Sequence, residues 1–228
     1  SGFVGIFLGD LFLFKSFTIV GPRVSLLIMS LSPPLAAVIS WFALGELLSI
    51  TAIIGMSITM IGIIIVILTR GTEDETKKKR IKLKYSSRGI FYAVLGSAGQ
   101  ATGLVMSKLG VLESGNPFAA TQVRLYAGII GFIILISFLK RWKPVIISVK
   151  NTRAFASLSL GAFFGPFLGI SFSLIAVTYT NPGIVQTITS INPVLIIPFS
   201  IWLFKEKVSL IEFVGAIIAV TGVYMFFL

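Results

Sequence analysis

The chain has 228 residues, of which 56% are hydrophobic and 12% charged, with a mean hydropathy of +1.01; soluble domains carry roughly 25% charged residues, so this is the composition of a membrane protein. The absence of cysteine and histidine excludes disulfides, thiolate or imidazole metal sites, cysteine nucleophiles and imidazole bases together. The net charge of +11 comes from cations that crowd into segments between apolar runs, which points to membrane topology and not to a nucleic-acid partner.

A membrane span needs about 20 apolar residues. Eight such runs follow one another, at 2–20, 24–44, 50–69, 89–107, 118–139, 154–178, 183–204 and 211–228. No positively charged leader precedes the first run, so a cleavable signal peptide is not expected. The third and fourth runs are separated by a basic, solvated linker, 70–88, which carries Arg70, Lys77, Lys78, Lys79, Arg80, Lys82, Lys84 and Arg88. Alternation of spans puts Arg23, Lys140, Arg141, Lys143, Lys150, Arg153, Lys205 and Lys207 on the same side, whereas the opposite turns at 45–49 and 180–182 have no Lys or Arg. The positive-inside rule then makes the linker cytoplasmic and the C-terminus external in a multi-pass protein of the cell membrane.

Residues 30–62 recur at 190–222 with a constant offset of 160 and no gap. Ser30 pairs with Ser190, Pro33 with Pro193, Ser40 with Ser200, Glu46 with Glu206, Ser49 with Ser209, Gly55 with Gly215 and Gly62 with Gly222. The register extends back through Gly5 and Gly165, Gly9 and Gly169, and Thr18 and Thr178. Self-similarity of this length is a duplication. It divides the chain into a first repeat (1–69), the linker (70–88) and a second repeat (89–228). The spans at 89–107 and 118–139 have no partner in the first copy, so the expected whole is a ten-span protein whose first two helices lie ahead of Ser1. Five spans per copy is an odd number, which gives the copies opposite orientations and places a binding site between them near the midplane.

The doubled Ser-x-x-Pro, followed by Glu46 or Glu206 and a Gly-x6-Gly helix, and preceded by Gly9–Pro22 (GDLFLFKSFTIVGP), resembles the drug/metabolite transporter superfamily with EamA-type repeats. The resemblance covers nearly the whole chain. It implies an all-α, ten-helix, inverted-repeat carrier of small metabolites, amino acids or drugs, often an exporter, with both termini usually cytoplasmic. The cation count argues for the opposite placement of the termini.

Candidate functional positions are polar or helix-breaking residues inside spans. Pro33, Pro34 and Pro193, near the middle of their runs, each remove a helical hydrogen bond, and the freed carbonyl must face protein or a wet cavity. They serve as a kink or as a gate. Glu46 and Glu206 fall at the water interface before a serine able to cap the next helix, a structural hairpin role. Glycines every fourth residue (Gly5 and Gly9; Gly99 and Gly103; Gly161, Gly165 and Gly169) read as packing faces. Where the copies differ, Asp10 replaces Ile170, Lys15 replaces Ile175, Trp41 replaces Ile201, and Gln186 replaces Leu26. An asymmetric solute needs such asymmetric contacts, and with Ser30, Ser32, Gln100, Gln122, Ser190 and Asn192 these residues form the expected transport path. Asp10, the acid deepest in a span, is expected to face the cavity and to bind a cationic group or carry a coupling proton. Lys108 and Arg124 read as side chains snorkelling from helix ends.

The expected partners are a small solute, the bilayer and a coupling proton, without cofactor, metal or catalytic residue. An ATP-driven pump lacks its Walker glycine loop, and an intramembrane enzyme lacks paired acids or a base. A passive channel or scaffold remains the alternative to a carrier.

Overall fold

The computed structural model describes residues 1–75, 86–192, 194–195, 197–198 and 209–228, and of residues 23, 70–75 and 148 the backbone alone. Among these, every regular element is helical. A π-helical turn, Phe3–Gly9, leads into α1 (Asp10–Met29), followed by α2 (Ser32–Leu44), α3 (Ile50–Glu75), α4 (Ser87–Ser114), α5 (Pro117–Phe138), α6 (Trp142–Lys150) and α7 (Thr152–Ala162). A second π-helical turn, Phe163–Gly169, continues into α8 (Ile170–Tyr179), then α9 (Pro182–Thr189) and α10 (Leu210–Tyr224). Among the described residues, seven stretches are long and apolar enough to cross a membrane. Of the expected run 183–204 only the first part is fully described, and Pro193 and Glu206 lie outside the described residues.

The offset of 160 reappears in the backbone. The two π-helical turns occupy equivalent positions, and each widens the helical ladder over seven residues. Ser30 donates its N–H to Leu26 O (3.1 Å) and Leu31 to Ile28 O (3.0 Å); Ser190 and Ile191 repeat this toward Gln186 O (3.0 Å) and Ile188 O (3.3 Å). The prolines need correction: Pro33 and Pro34 do not kink the middle of a helix. They open α2 after a turn at Ser30 and Leu31, in its first helical turn, where a missing N–H is tolerated. The span 24–44 is therefore two helical pieces. Gly21, at φ 84° and ψ 159°, interrupts α1 just ahead of Pro22 and matches the expected boundary between the first two runs.

Other boundaries move. Helix α3 continues to Glu75, so the start of the expected linker is helical, and α6 was not anticipated. Helix α4 runs seven residues past the expected 107, which carries Lys108 inside it. The serines following both glutamates do cap: Ser49 Oγ accepts from Ala52 N (3.1 Å) and Ser209 Oγ from Glu212 N (3.2 Å).

Helix α3 packs on α10, and the pairing is reciprocal. A Cβ on Gly55 would lie 2.8 Å from Gly222 O, and one on Gly62 would lie 2.6 Å from Gly215 O. Each glycine thus meets the repeat-equivalent of the other, an isologous contact of the kind a two-fold axis generates. Ile63, Val66, Ile67, Ile191, Val194, Ile197 and Ala219 make the apolar cluster beside this seam. A second antiparallel seam joins the first π-helical turn to α4, where a Cβ on Gly103 would lie 2.6 Å from Gly5 Cα and one on Gly99 2.9 Å from Gly9 Cα. Small residues allow this approach and gain dispersion contact without a hydrophobic driving force in lipid.

Candidate functional site

Helix α5 starts at a cap readable in the sequence: Asn116 Oδ1 accepts from Phe118 N and Ala119 N, both at 3.1 Å, with Pro117 in the first turn. From there Thr121, Arg124, Gly128 and Gly131 recur on one buried face. Arg124 therefore stands roughly 10 Å along the helix and turns inward, 5% exposed. It does not snorkel.

Arg124 is one wall of a cavity of about 330 Å³. Helix α4 contributes Gln100 and Leu104; the second π-helical turn and α8 contribute Gly165, Gly169, Ile170 and Ser173. Gln186, Thr189 and Asn192 close the far side. Gln100 is the middle residue of α4 and packs opposite the Phe3–Gly9 turn, so the cavity lies at mid-depth of the bundle. The hydroxyls of Ser173 and Thr189 donate back to their own helices, to Gly169 O (2.8 Å) and Gln186 O (3.1 Å). Their oxygens remain able to accept. The volume is that of a pocket for a small molecule, and its polar groups converge from three sides.

Asp10 does not line this space. It stands one hydrogen bond behind it: Gln100 Nε2 donates to Asp10 Oδ1 at 2.6 Å and to Gly5 O at 3.3 Å. The first π-helical turn and the start of α1 thereby orient an amide of α4. Lys15, expected in the transport path, is exposed and does not line the cavity; its Nζ stands 4.6 Å from the Tyr92 ring centre.

The remaining sequence candidates separate. Gln100, Gln186 and Asn192 come together in the cavity. Ser32 is buried and donates to Ser97 O (3.3 Å), joining α2 to α4, while Ser30 and Ser190 bond the preceding turn of their own helices. Trp41 is 50% exposed against Phe42, and Gln122 is exposed; neither reaches the cavity.

At the end of the bundle that carries the turns 45–49 and 180–181, a polar cluster joins α2 and the turn after it to α4 and to the turn before α9. Gly45, left-handed at φ 69°, ends α2 and brings Glu46 back over its end. Lys108 Nζ meets Glu46 Oε1 at 2.6 Å and donates to Thr180 O at 2.8 Å. Ser40 Oγ (2.9 Å) and Asn181 Nδ2 (3.3 Å) both donate to Glu46 Oε2, while Asn181 Oδ1 caps α9 by accepting from Gly183 N at 2.8 Å. Glu46 thus ties the turn after α2 to α4 and to the turn before α9. Lys108 is 4% exposed, and its ion pair supplies the compensation a buried ammonium requires. Leu104, Val111, Leu174, Val177 and Val185 form a buried apolar cluster beside this polar one, and Leu104 also lines the cavity.

A sequence model described as the EamA-like transporter family matches residues 1–68 and 87–228. No curated protein matches the chain. Among solved structures, one described as a crystal structure of a protein superposes with a TM-score of 0.72 at 16% identity, over 98% of this chain and 73% of its own. At that identity the likeness extends to the fold.

Proposed function

This chain belongs to the EamA-like transporter family, a family of membrane transporters for small solutes, and we propose that it is a secondary carrier whose solute occupies the cavity between α4, α5, α8 and α9. The observation that carries this reading is a polar cavity walled by Gln100, Arg124, Gln186 and Asn192, with the Glu46–Lys108 bridge about two turns along α4 from Gln100; in this reading the bridge and the apolar cluster around Leu104 and Leu174 close the cavity toward one end. A site closed on one side is one half of an alternating-access cycle. The reciprocal contact of Gly55 and Gly62 with Gly222 and Gly215 supports two inverted repeats, which supply the second half by exchanging conformations.

In this cycle the Glu46–Lys108 bridge is the gate that parts when the site turns to the other side. The basic segment 70–88 faces the cytoplasm, transport runs outward, and Asp10, through Gln100, carries the coupling proton. Saturable flux in vesicles, accelerated by solute loaded on the far side, is the expected behaviour; flux that rises linearly without trans-stimulation identifies a channel instead.

A further inference from the structure

Arg124 is the most demanding group in the cavity wall. A guanidinium held in a membrane helix and removed from water needs compensation. What it finds is incomplete: Nη1 donates to Ser107 Oγ (2.8 Å) and, at a longer 3.4 Å, to Gly103 O, both neutral acceptors. Nε is buried and has no acceptor among the described residues. Asp10 is near enough for the two charges to interact, yet it forms no ion pair with Arg124 among the described residues, and its Oδ1 is taken by Gln100.

The seat is built for this side chain. A Cβ on Gly5 would come within 2.8 Å of Nη2, and one on Gly103 within 3.4 Å, so the two glycines of the seam leave the space the guanidinium fills. Ser107 holds Nη1 and fixes the plane. The edge that remains, Nε with Nη2, is a planar pair of donors matched to the two oxygens of a carboxylate. Lysine offers no such edge.

We propose that Arg124 is the specificity-determining residue of the cavity and receives a carboxylate of the transported solute. The assignment rests on the carrier reading above and narrows it to organic acids and zwitterions small enough for the cavity, with Gln100 and Gln186 meeting the rest of the molecule. A solute with no acceptor at this edge leaves Nε unsatisfied in the occupied state, and a single neutral carbonyl meets one donor without compensating the buried charge.

The test uses the full-length protein in vesicles and a panel of monocarboxylates and α-amino acids of three to eleven carbons, each paired with its amide. Competition and thermal stabilisation are measured for wild type, Arg124→Lys and Arg124→Gln. The wild type is expected to prefer acids to their amides by ~10–100-fold, the weight of a hydrogen-bonded charge. Arg124→Gln is expected to lose that preference and Arg124→Lys to keep part of it. The wild-type comparison stands even if a variant fails to fold. Equal binding of acids and amides, or an acid preference that survives Arg124→Gln, overturns the assignment. Saturable flux of amides alone, or of no panel member, overturns it while leaving the carrier reading intact; flux that rises linearly without trans-stimulation takes down both.

Discussion

The π-helical turns Phe3–Gly9 and Phe163–Gly169 are equivalent in sequence register, in length and in backbone form, yet they live in opposite surroundings. In the first, Gly5 and Gly9 are buried against Gly103 and Gly99 of α4. In the second, a Cβ on Gly165 or Gly169 would meet nothing within 4 Å, and both glycines line the cavity. The same local sequence therefore builds the same widened turn twice, and the neighbours decide whether it becomes a packing seam or a cavity wall. Duplication supplies the scaffold, and function enters where one copy is left uncovered.

Substitutions that fill these glycines break the comparison most directly. Gly103→Leu drives a side chain into the Gly5 backbone, where no flexible group can yield, and is expected to cost on the order of 3 kcal/mol or more. Thermal unfolding in detergent reads this as loss of a monodisperse folded species. Next in size is the bridge: Glu46→Gln strands the Lys108 ammonium and is expected to cost on the order of 2 kcal/mol, moderated because Glu46 is 31% exposed. The double variant with Lys108→Met should recover most of that loss in a mutant cycle. Additive losses would mean that the ion pair contributes nothing beyond its separate parts.

Asp10→Asn keeps an oxygen for Gln100 Nε2 and should change stability by less than about 1 kcal/mol. Transport, however, is expected to lose its pH dependence. An unchanged pH profile at full rate would reduce Asp10 to a residue that orients Gln100. The smallest effect belongs to Gly165→Ala, placed in open space at the cavity wall, with stability expected within about 0.5 kcal/mol of wild type. A loss as large as that of Gly103→Leu would show that this turn is covered as its counterpart is.

Much of this organisation is legible in the residues. The offset of 160 predicts the paired turns at Ser30 and Ser190, and the serines after the glutamates announce the caps that form. The site is less legible, because its signals depend on partners far away in sequence. Lys108 looks like a helix-end cation until α4 extends to Ser114 and Glu46 folds over it. Arg124 looks alike until the buried stripe of α5 turns it inward; the spacing of Thr121, Arg124, Gly128 and Gly131 was the available clue. Differences between the copies mislead at Trp41 and Lys15, since a residue facing outward diverges between repeats as freely as one facing a solute.

The central claim, that the cavity holds the solute, is open to a direct measurement because the natural chain has no cysteine. Ser173→Cys places a single thiol on the cavity wall, and Ser114→Cys places a control thiol at the exposed C-terminal end of α4. The rate of thiol modification is followed while the transported solute is titrated. Protection confined to position 173, with a midpoint equal to the KM for transport, is the predicted result. Modification of Ser173→Cys at the same rate with and without saturating solute would contradict it.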